Sequence, residues 1–475
     1  MALLPVSAAL LSLTLTALLL PASLVLSSTQ FAPPDNYLVN CGSDAPTTLD
    51  PDNRPFVGDH RAPSSSFRLT SSRTFPLADA TPRPHSSPIY SQVRVFYSAS
   101  SYRFPVKQKG THIVRLHIQR RSDPLDRQLF RVYAGEFLLI GDGVEPGVDV
   151  AIKEYFVWVD GEDLEIRFVP KKGSFAYVNA IEVISAPASL IADDARLLGG
   201  SARSPIWITG VTQRALETVY RVNVGGPKVT PFNDSLWRTW LPDDEYLTAS
   251  EDPSIRRVYT SGPIRYQSFG PARQDGPDNV YNTARVVTSE KSSSIPNLNL
   301  TWTFPVVEGY EYLVRLHFCD IASVALGMLY FNVYVNGYLA YENLDLSSLT
   351  IQSLASPVYA DFVVRGCGLD SVSVSVGPSD LSRPHSVDAI LNGVEIFKMS
   401  NAVKSLDGGV GMDLKRSGIC NALPLVAVVC LLVLLSMVVK RRLATLKDSG
   451  VWARLSLGGS DSGLKYSSIP LADKL

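Results

Sequence analysis

Two histidines at equivalent places in a repeated pattern are the residues best suited to chemistry, as bases or as metal ligands. Ile113-Val-Arg-Leu-His-Ile118 recurs as Leu313-Val-Arg-Leu-His-Phe318, which gives His117 and His317 the same apolar neighbours. A metal site needs several converging ligands, and the sequence has no His, Cys or Asp cluster with ligand spacing. It also lacks a Gly-x-Ser-x-Gly nucleophile elbow. We therefore predict structural histidines on strands, and no catalytic, metal-binding or cofactor-binding residues.

Both histidines belong to a tandem duplication. Tyr37-Leu-Val-Asn-Cys-Gly42 corresponds to Tyr220-Arg-Val-Asn-Val-Gly225, and Val178-Asn-Ala-Ile-Glu-Val183 corresponds to Leu391-Asn-Gly-Val-Glu-Ile396. The matches keep their order while loops in the second copy lengthen, and two long copies are too few for a solenoid. The sequence therefore predicts two tandem domains joined by a linker. The predicted bounds are 31–185 for domain 1, 186–217 for the linker and 218–398 for domain 2.

Strand patterns dominate both copies. The stretch 111–118 alternates apolar and polar residues, and 371–376 does so with period two. The aromatic and β-branched run 329–335 ends in Asn336-Gly337, a hairpin signal. Many short strands separated by turns indicate an all-β ectodomain made of two β-sandwich, jelly-roll-like domains.

The two ends of the chain carry targeting signals. The apolar N-terminal stretch predicts a secretory signal peptide over 1–28. A second uncharged apolar run, 422–439, is long enough for one transmembrane helix, and Lys440-Arg-Arg442 follows it. The basic cluster favours a type I plasma-membrane protein with an extracellular N-terminal region, a juxtamembrane stalk at 399–421 and a short cytoplasmic tail at 440–475. A net charge of −1 for the chain does not suggest nucleic-acid binding.

Cysteines and glycosylation sequons are few. Cys319 and Cys367 both lie in the second repeat and are the candidate disulfide, whereas Cys41 is expected to be a buried free thiol. Asn233 and Asn299 each begin an Asn-x-Ser/Thr sequon and are predicted glycosylation sites. The outer region is therefore expected to be a glycoprotein stabilised mainly by its hydrophobic cores.

Two groups of residues are candidates for partner binding. A basic group could contact a polyanion such as demethylated pectin, or could be a solvated rim; its members are Arg115, Arg120, Arg121 and Arg127. An aromatic group could anchor an interface or cover the junction between the two domains; its members are Trp237, Trp240 and Tyr246.

The ordered blocks resemble the ectodomain of plant malectin-like receptor kinases of the FERONIA and THESEUS type. The resemblance depends on Pro33-Pro-Asp-Asn-Tyr-Leu38, Glu217-Thr-Val-Tyr-Arg221, Arg315-Leu-His-Phe-Cys-Asp320 and Leu391-Asn-Gly-Val-Glu-Ile-Phe397. It implies two malectin-like β-sandwich domains that perceive the state of the cell wall or a secreted cysteine-rich peptide of the RALF type. It also implies GPI-anchored co-receptors and full-length malectin-like receptor kinases as partners.

The sequence departs from that family in two respects. The family continues into a serine/threonine kinase, whereas the segment 440–475 shows neither His-Arg-Asp nor Asp-Phe-Gly. Ala322 and Ser323 stand where animal malectin has aromatic residues that hold a sugar. We therefore expect a non-catalytic receptor-like protein that acts with or against complete kinases. The alternatives are a tether that binds wall polysaccharide, and a truncated gene model of a receptor kinase.

Overall fold

A computed structural model describes residues 31–60, 66–78, 86–119, 128–143, 150–199, 206–248, 252–289, 293–365, 368–407 and 436–437. The chain divides into two compact units, 1–411 and 412–475, and the fold below is that of the first. Within the described ranges, no helix has the length and apolar character needed to span a bilayer. The predicted signal peptide, the predicted tail and all but 436–437 of the predicted span lie outside these ranges.

The first repeat is built from short strands. They are β1 Asn36–Asn40, β2 Thr48–Leu49, β3 Pro55–Gly58, β4 Arg68–Ser71, β5 Thr74–Ala78, β6 Gln92–Phe96, β7 Ser100–Pro105, β8 Gly110–Gln119, β9 Phe130–Ala134, β10 Phe137–Ile140, β11 Val150–Val159, β12 Asp163–Pro170, β13 Ala176–Val178 and β14 Ala180–Ser185. A 3₁₀ turn at Pro88–Tyr90 precedes β6.

The rest of the unit continues in the same style. Its strands are β15 Ala195–Leu198, β16 Ile206–Ile208, β17 Leu216–Asn223, β18 Leu241–Pro242, β19 Leu247–Thr248, β20 Ile255–Tyr259, β21 Thr283–Thr288, β22 Leu300–Pro305, β23 Glu311–Cys319, β24 Phe331–Val335, β25 Tyr338–Leu344, β26 Pro357–Val364, β27 Ser371–Pro378, β28 Val387–Leu391 and β29 Gly393–Met399. The described helices are single turns at Pro231–Asn233, Asp278–Tyr281 and Leu346–Leu349. The prediction of a mostly β fold is confirmed.

One long sheet crosses both repeats. Its strand order is β16-β15-β26-β23-β29-β17-β11-β8-β14-β1-β3-β2. The junction between the repeats, here called the seam, is the antiparallel pair of β11 and β17, in which Tyr155 lies opposite Glu217 and Phe156 opposite Leu216. The two copies are therefore connected by main-chain hydrogen bonds as well as by side chains.

Each repeat closes a sandwich over its own core. In repeat 1 the second layer has the order β10-β9-β12-β7-β4, with β13-β6-β5 beside it; in repeat 2 it is β19-β22-β27-β24-β25, with β20-β21-β28. Alternate residues of β8, such as Val114 and Leu116, enter the first core together with Val132 and Ile166. Full burial of such side chains stabilises the fold by about 1.5–3 kcal/mol each.

The repeated Asn-x-x-Glu sequence has a structural explanation. The main-chain N–H of Asn179 donates to the carbonyl of His117 at 2.9 Å, and its side-chain oxygen accepts the N–H of Gln119 at 2.8 Å. The same two bonds recur around Asn392, at 3.0 and 2.7 Å. The asparagine thus closes the irregular turn between two strands in each repeat, where an apolar residue would leave buried polar groups unpaired.

The glycine of the repeated Asn-x-Gly sequence is also required by the backbone. Gly42 and Gly225 have φ values of +88° and +73°, in the left-handed region. An added Cβ would lie 2.7 Å from the carbonyl oxygen of Val93 at the first position and 2.3 Å from that of Ala284 at the second. Any side chain would therefore collide with the neighbouring strand.

Two segments predicted as spacers are part of the fold. The predicted linker, 186–217, contributes β15 and β16 to the long sheet. The beginning of the predicted stalk, 401–407, returns to the first repeat, where the N–H of Leu138 donates to the carbonyl of Lys404 and that of Leu406 donates to the carbonyl of Leu138, both at 2.9 Å. Leu406 is fully buried in the first core.

Only one residue of the predicted Cys319–Cys367 disulfide lies in the described ranges. Cys319 is fully buried at the end of β23, whereas Cys367 lies outside the described residues, so this pairing stays a prediction. Cys41 is a buried free thiol, as predicted.

Candidate functional site

The two repeated histidines lie in matching buried hydrogen-bond sets. The hydroxyl of Tyr90 contacts Nδ1 of His117 at 2.9 Å, and Nε2 of His117 contacts Glu182 at 2.8 Å. In repeat 2, His317 makes the same contacts to the hydroxyl of Tyr281 at 2.9 Å and to its own carboxylate partner at 3.1 Å. Both histidines lie on strands, as predicted, and protein groups contact both ring nitrogens of each.

Glu395 is the carboxylate partner of His317, and both groups are buried. Burial lowers the pKa of His317, which favours a neutral imidazole that donates from Nε2 and accepts at Nδ1. Burial would raise the pKa of Glu395, but Arg221 and the hydrogen bond from His317 lower it below its ordinary range. This set could hold a proton in place, but it lies in the interior and has no access to a substrate.

A line of alternating buried charges, here called the charge chain, runs across the long sheet from one repeat to the other. Its members in order are Glu395, Arg221, Glu154, Arg115, Glu182, Arg54 and Asp50. Glu154 is the central link, because it accepts from Arg115 of its own repeat at 2.6 Å and from Arg221 of the other repeat at 2.8 Å.

The first-repeat half of the charge chain is closely spaced. Glu182 accepts from Arg115 at 2.8 Å and from two nitrogens of Arg54 at 2.8 and 3.1 Å. Arg54 also contacts Asp50 at 2.7 Å. Burial would raise the pKa of Glu182, but Arg115, the hydrogen bond from His117 and Arg54 together lower it well below its ordinary value. Glu182 therefore remains ionised inside the protein.

Two equivalent arginines bind main-chain carbonyls outside their own repeats. Arg115 donates to the carbonyl of Leu236 in the second repeat at 2.8 Å, and Arg315 donates to the carbonyl of Leu190, in the segment between the repeats, at 2.6 Å. Arg315 also forms a two-bond pair with Asp361, at 2.7 Å for each bond. The repeated Arg-x-His pattern therefore supplies both an arginine that binds a distant segment and a histidine of the buried set.

The charge chain corrects the predicted basic surface group. Arg115 is only 4% exposed, and it donates to Glu154, to Glu182 and to a buried main-chain carbonyl, so it cannot contact a polyanion or form a solvated rim. The sequence suggested an exposed arginine because the carboxylates that pair with Arg115 are distant along the chain, so no nearby residue revealed its burial. Arg120, Arg121 and Arg127 lie outside the described residues, and their role stays a prediction.

The predicted aromatic group divides into separate environments. Trp240 is fully buried, and its indole N–H donates to Asp234 at 3.0 Å, so its prediction as an interface anchor is wrong. Trp237 is half-buried against the apolar cluster that joins the repeats, which favours the alternative of a cover over the junction. Tyr246 packs on Tyr220 and on Phe304 within the second repeat.

Both predicted glycosylation residues are accessible. Asn233 and Asn299 are exposed, in the 3₁₀ turn after Thr230 and just before β22 respectively. Attachment of sugar at either residue stays a prediction. Asn233 also lies at the rim of a cavity, so a glycan there would stand beside its opening.

Two accessible cavities among the described residues are lined mainly by the second repeat. The first, of about 690 Å³, is lined by Asn233, by the 74% exposed Phe232 and by the ion pair between Arg273 and Asp278, 2.8 Å apart. The second, of about 570 Å³, lies on the other side of the 266–279 loop and is lined by aromatic and small residues. Cavities of this size suit a small ligand or a peptide segment.

Sequence reasoning missed most of these residues. Glu182 and Glu395 end the repeated Asn-x-x-Glu sequence, and repetition of an acid on an apolar strand was the available signal for a buried partner. Glu154 and Arg221 had no such signal, since their contact crosses the seam. Most residues that line the first cavity lie in loops outside the repeated blocks, whereas the second cavity also involves strand residues such as Phe318 and Tyr359, whose proximity no local pattern predicts.

Comparison with known proteins assigns this architecture. The fold is a module of two β-sandwich repeats with a buried chain of ion pairs and with accessible cavities. Residues 39–399 match the Malectin-like domain family. The chain belongs to the malectin-like family.

Its relatives include receptor-like protein kinases of Arabidopsis thaliana. THESEUS 1 is 39% identical over 391 residues, which are 80% of this chain and 44% of that protein. HERK 1 is 36% identical over 457 residues, which are 92% of this chain and 52% of that protein. The chain thus spans about half the length of these relatives.

Solved extracellular domains share the fold. The ANXUR2 extracellular domain from Arabidopsis thaliana matches 78% of this chain and 97% of its own, with a TM-score of 0.67 and 26% identity. A structure of the plant peptide RALF23 in complex with FER and LLG2 matches 79% of this chain and 98% of that chain, with a TM-score of 0.66 and 30% identity.

Proposed function

We propose that this chain is a non-catalytic cell-surface recognition protein that binds a secreted peptide of the RALF type together with a GPI-anchored co-receptor. It acts with or against full-length malectin-like receptor kinases. This proposal depends on the structural match to the complex of RALF23 with FER and LLG2, which covers 79% of this chain and 98% of the matched chain. At 30% identity the match extends beyond the general fold to the level of a shared family.

The burial of the repeated charges is consistent with a recognition role. Glu154 and the two repeated histidines are held inside the unit by contacts to protein groups. A general acid or base must reach the proton that it transfers. The two larger cavities described above offer accessible concave surface for a partner.

The proposal includes the predicted placement of the chain. The signal peptide 1–28, the span 422–439 and glycans on Asn233 and Asn299 would give a type I plasma-membrane glycoprotein with its malectin-like region outside the cell. The seam supports a receptor role, because strand pairing and buried ion pairs hold the two repeats as one body on which loops can present a binding surface.

Binding of RALF23 tests this function. The purified full chain is immobilised and titrated with synthetic RALF23, alone and with saturating LLG2, by biolayer interferometry. We expect saturable binding that LLG2 strengthens. A RALF23 peptide of scrambled sequence serves as the control. No binding under either condition, together with salt-sensitive binding to demethylated pectin, would contradict the proposal and favour the wall-tether alternative.

A further inference from the structure

One strand of the long sheet has a partly open edge. Along its whole length, 357–364, β26 pairs with β23 on one side. On the other side β15 pairs only with 362–364, through Arg196, Leu197 and Leu198. Among the described residues no strand lies beside 358–361 on that side. Open edges of this kind are templates for the addition of another strand.

The 570 Å³ cavity runs along this open edge. Val358, Tyr359 and Ala360 all line it, and consecutive strand residues point to opposite faces of a sheet, so a cavity that touches all three follows the edge itself. The opposite wall includes Ser189, whose carbonyl accepts the hydroxyl of Tyr359 at 3.4 Å, and the 60% exposed Phe269. We name this space the edge cleft.

An incompletely paired carboxylate lines the edge cleft. Asp275 is 1% exposed, and one of its oxygens accepts the N–H of Ala272 at 2.7 Å. The other oxygen has no hydrogen-bond partner among the residues that the structure describes. A buried carboxylate oxygen without a partner is costly, so a donor brought by a ligand would relieve that cost.

The rim of the edge cleft is strained. Ile351, Gln352 and Ala355 have φ values of 43°, 57° and 55°, and a β-branched residue in this region is an outlier. The neighbouring Leu349 and Thr350 line the cleft. Backbone strain of this kind clusters at ligand-binding loops.

We infer that the edge cleft binds an extended peptide segment, which adds as a strand to residues 358–361 of β26. Four residues expose about 13 Å of strand edge. Main-chain bonds to this edge give affinity for an extended chain, while Phe269 and Tyr341 select its side chains. A donor side chain reaches towards Asp275. The inference deepens the proposed function, since it rests on a peptide as the ligand.

A glycine in the cleft wall allows a direct test. A Cβ at Gly270 would lie 3.5 Å from the carbonyl oxygen of Pro357, an ordinary contact at the start of β26, and its φ is not in the left-handed region. Gly270→Leu therefore fills the cleft with little strain. Gly161→Leu is the matched control, because its Cβ would meet only Asp163 at 3.5 Å, in an exposed turn of repeat 1.

Two probes keep this inference separate from the proposed function. The first is a displayed library of linear peptides, selected on the full chain; the second is RALF23 with LLG2. We expect selected peptides to bind Gly161→Leu normally and Gly270→Leu at least about tenfold more weakly. They should also slow hydrogen exchange of the amides in 358–361. This result supports the edge cleft even where RALF23 does not bind, in which case only the proposed function fails.

The contrary results are equally distinct. Selected peptides that bind both glycine variants equally, a library without binders, or glycans that bind in a Gly270→Leu-sensitive way would overturn the inference. If RALF23 still binds Gly270→Leu in that case, the proposed function stands although the edge-cleft inference fails. Phe269→Ser, with the exposed Tyr259→Ser as control, provides a second variant pair in case Gly270→Leu fails to fold.

Discussion

Arg221 of the second repeat donates to Glu154 of the first across 2.8 Å, and both side chains are buried at the seam. The hydroxyl of Thr218 donates to the same carboxylate at 2.8 Å. A buried ion pair is favourable only when its groups are well hydrogen-bonded. The Glu154 carboxylate meets this condition, because it accepts hydrogen bonds from donors in both repeats. The two repeats consequently share one electrostatic interior, and each stabilises a charge of the other.

Loss of the central carboxylate should destabilise the whole unit. Glu154→Gln leaves Arg115 and Arg221 without their shared counter-charge, and we expect the free energy of unfolding to fall by about 3 kcal/mol. Urea denaturation followed by tryptophan fluorescence measures this change. Glu162→Gln is the control, since Glu162 pairs with Lys109 at the surface and its loss should change stability by less than about 1 kcal/mol. Equal effects of the two variants would show that the charge chain is not stabilising.

Acid should weaken the protein in a defined range of pH. Burial would raise the pKa of Glu154, but Arg221 and Arg115 lower it from 4.5 to about 2. The stabilisation from its ionised form is complete above pH 4.5 and is lost as the pH falls through about 2. We expect the free energy of unfolding to decline over that interval, and to decline less steeply in Glu154→Gln. Parallel pH profiles for the two proteins would contradict this assignment.

The returning segment 401–407 should stabilise the first repeat. Leu406→Ala removes a fully buried side chain from that core, and we expect a loss of about 2–5 kcal/mol together with faster hydrogen exchange at Leu138. The neighbouring Val403 is 60% exposed, so Val403→Ala should have little effect on either measurement. Unchanged exchange at Leu138 in Leu406→Ala would mean that this segment does not hold the repeat.

The repeated glycine should be irreplaceable. Gly225→Ala places a Cβ 2.3 Å from the carbonyl oxygen of Ala284 in a left-handed backbone conformation, so we expect failure to fold and loss of secreted protein. Gly309 has a φ of +92° with open space around it, and Gly309→Ala should cost only about 1 kcal/mol. Secretion yield and the melting temperature distinguish the two variants. Normal secretion of Gly225→Ala would contradict the close approach of the two strands.

The sequence predicted the architecture well because strand alternation and turn residues are local signals. The repeats predicted from Tyr37–Gly42 and Tyr220–Gly225 fold as two similar sandwiches, in which Asn179 and Asn392 make the same bonds. The linker prediction was incomplete, because Pro, Ala and Gly in 186–217 did not reveal that β15 would pair with a strand more than 150 residues later.

Surface assignments from sequence were weaker, because burial depends on partners that are distant along the chain. Arg115 looked like one of several exposed arginines, yet its carboxylate partners come from two other strands and its carbonyl partner from the other repeat. Trp240 lies in a loop-like stretch but is enclosed by Val229 and Val280. The edge cleft was also hidden, since it depends on where β15 stops pairing with β26.

The sequence by itself determined the duplication, the mostly β fold, the family and the strand location of both histidines. Period-two patterns, turn glycines and repeated asparagines act over a few residues, so their consequences are readable in order along the chain. The tertiary structure alone decided that β11 pairs with β17, that Glu154 and Arg221 meet, and that β26 keeps an open edge. These features depend on long-range strand pairing and on exclusion of water, which no local pattern specifies.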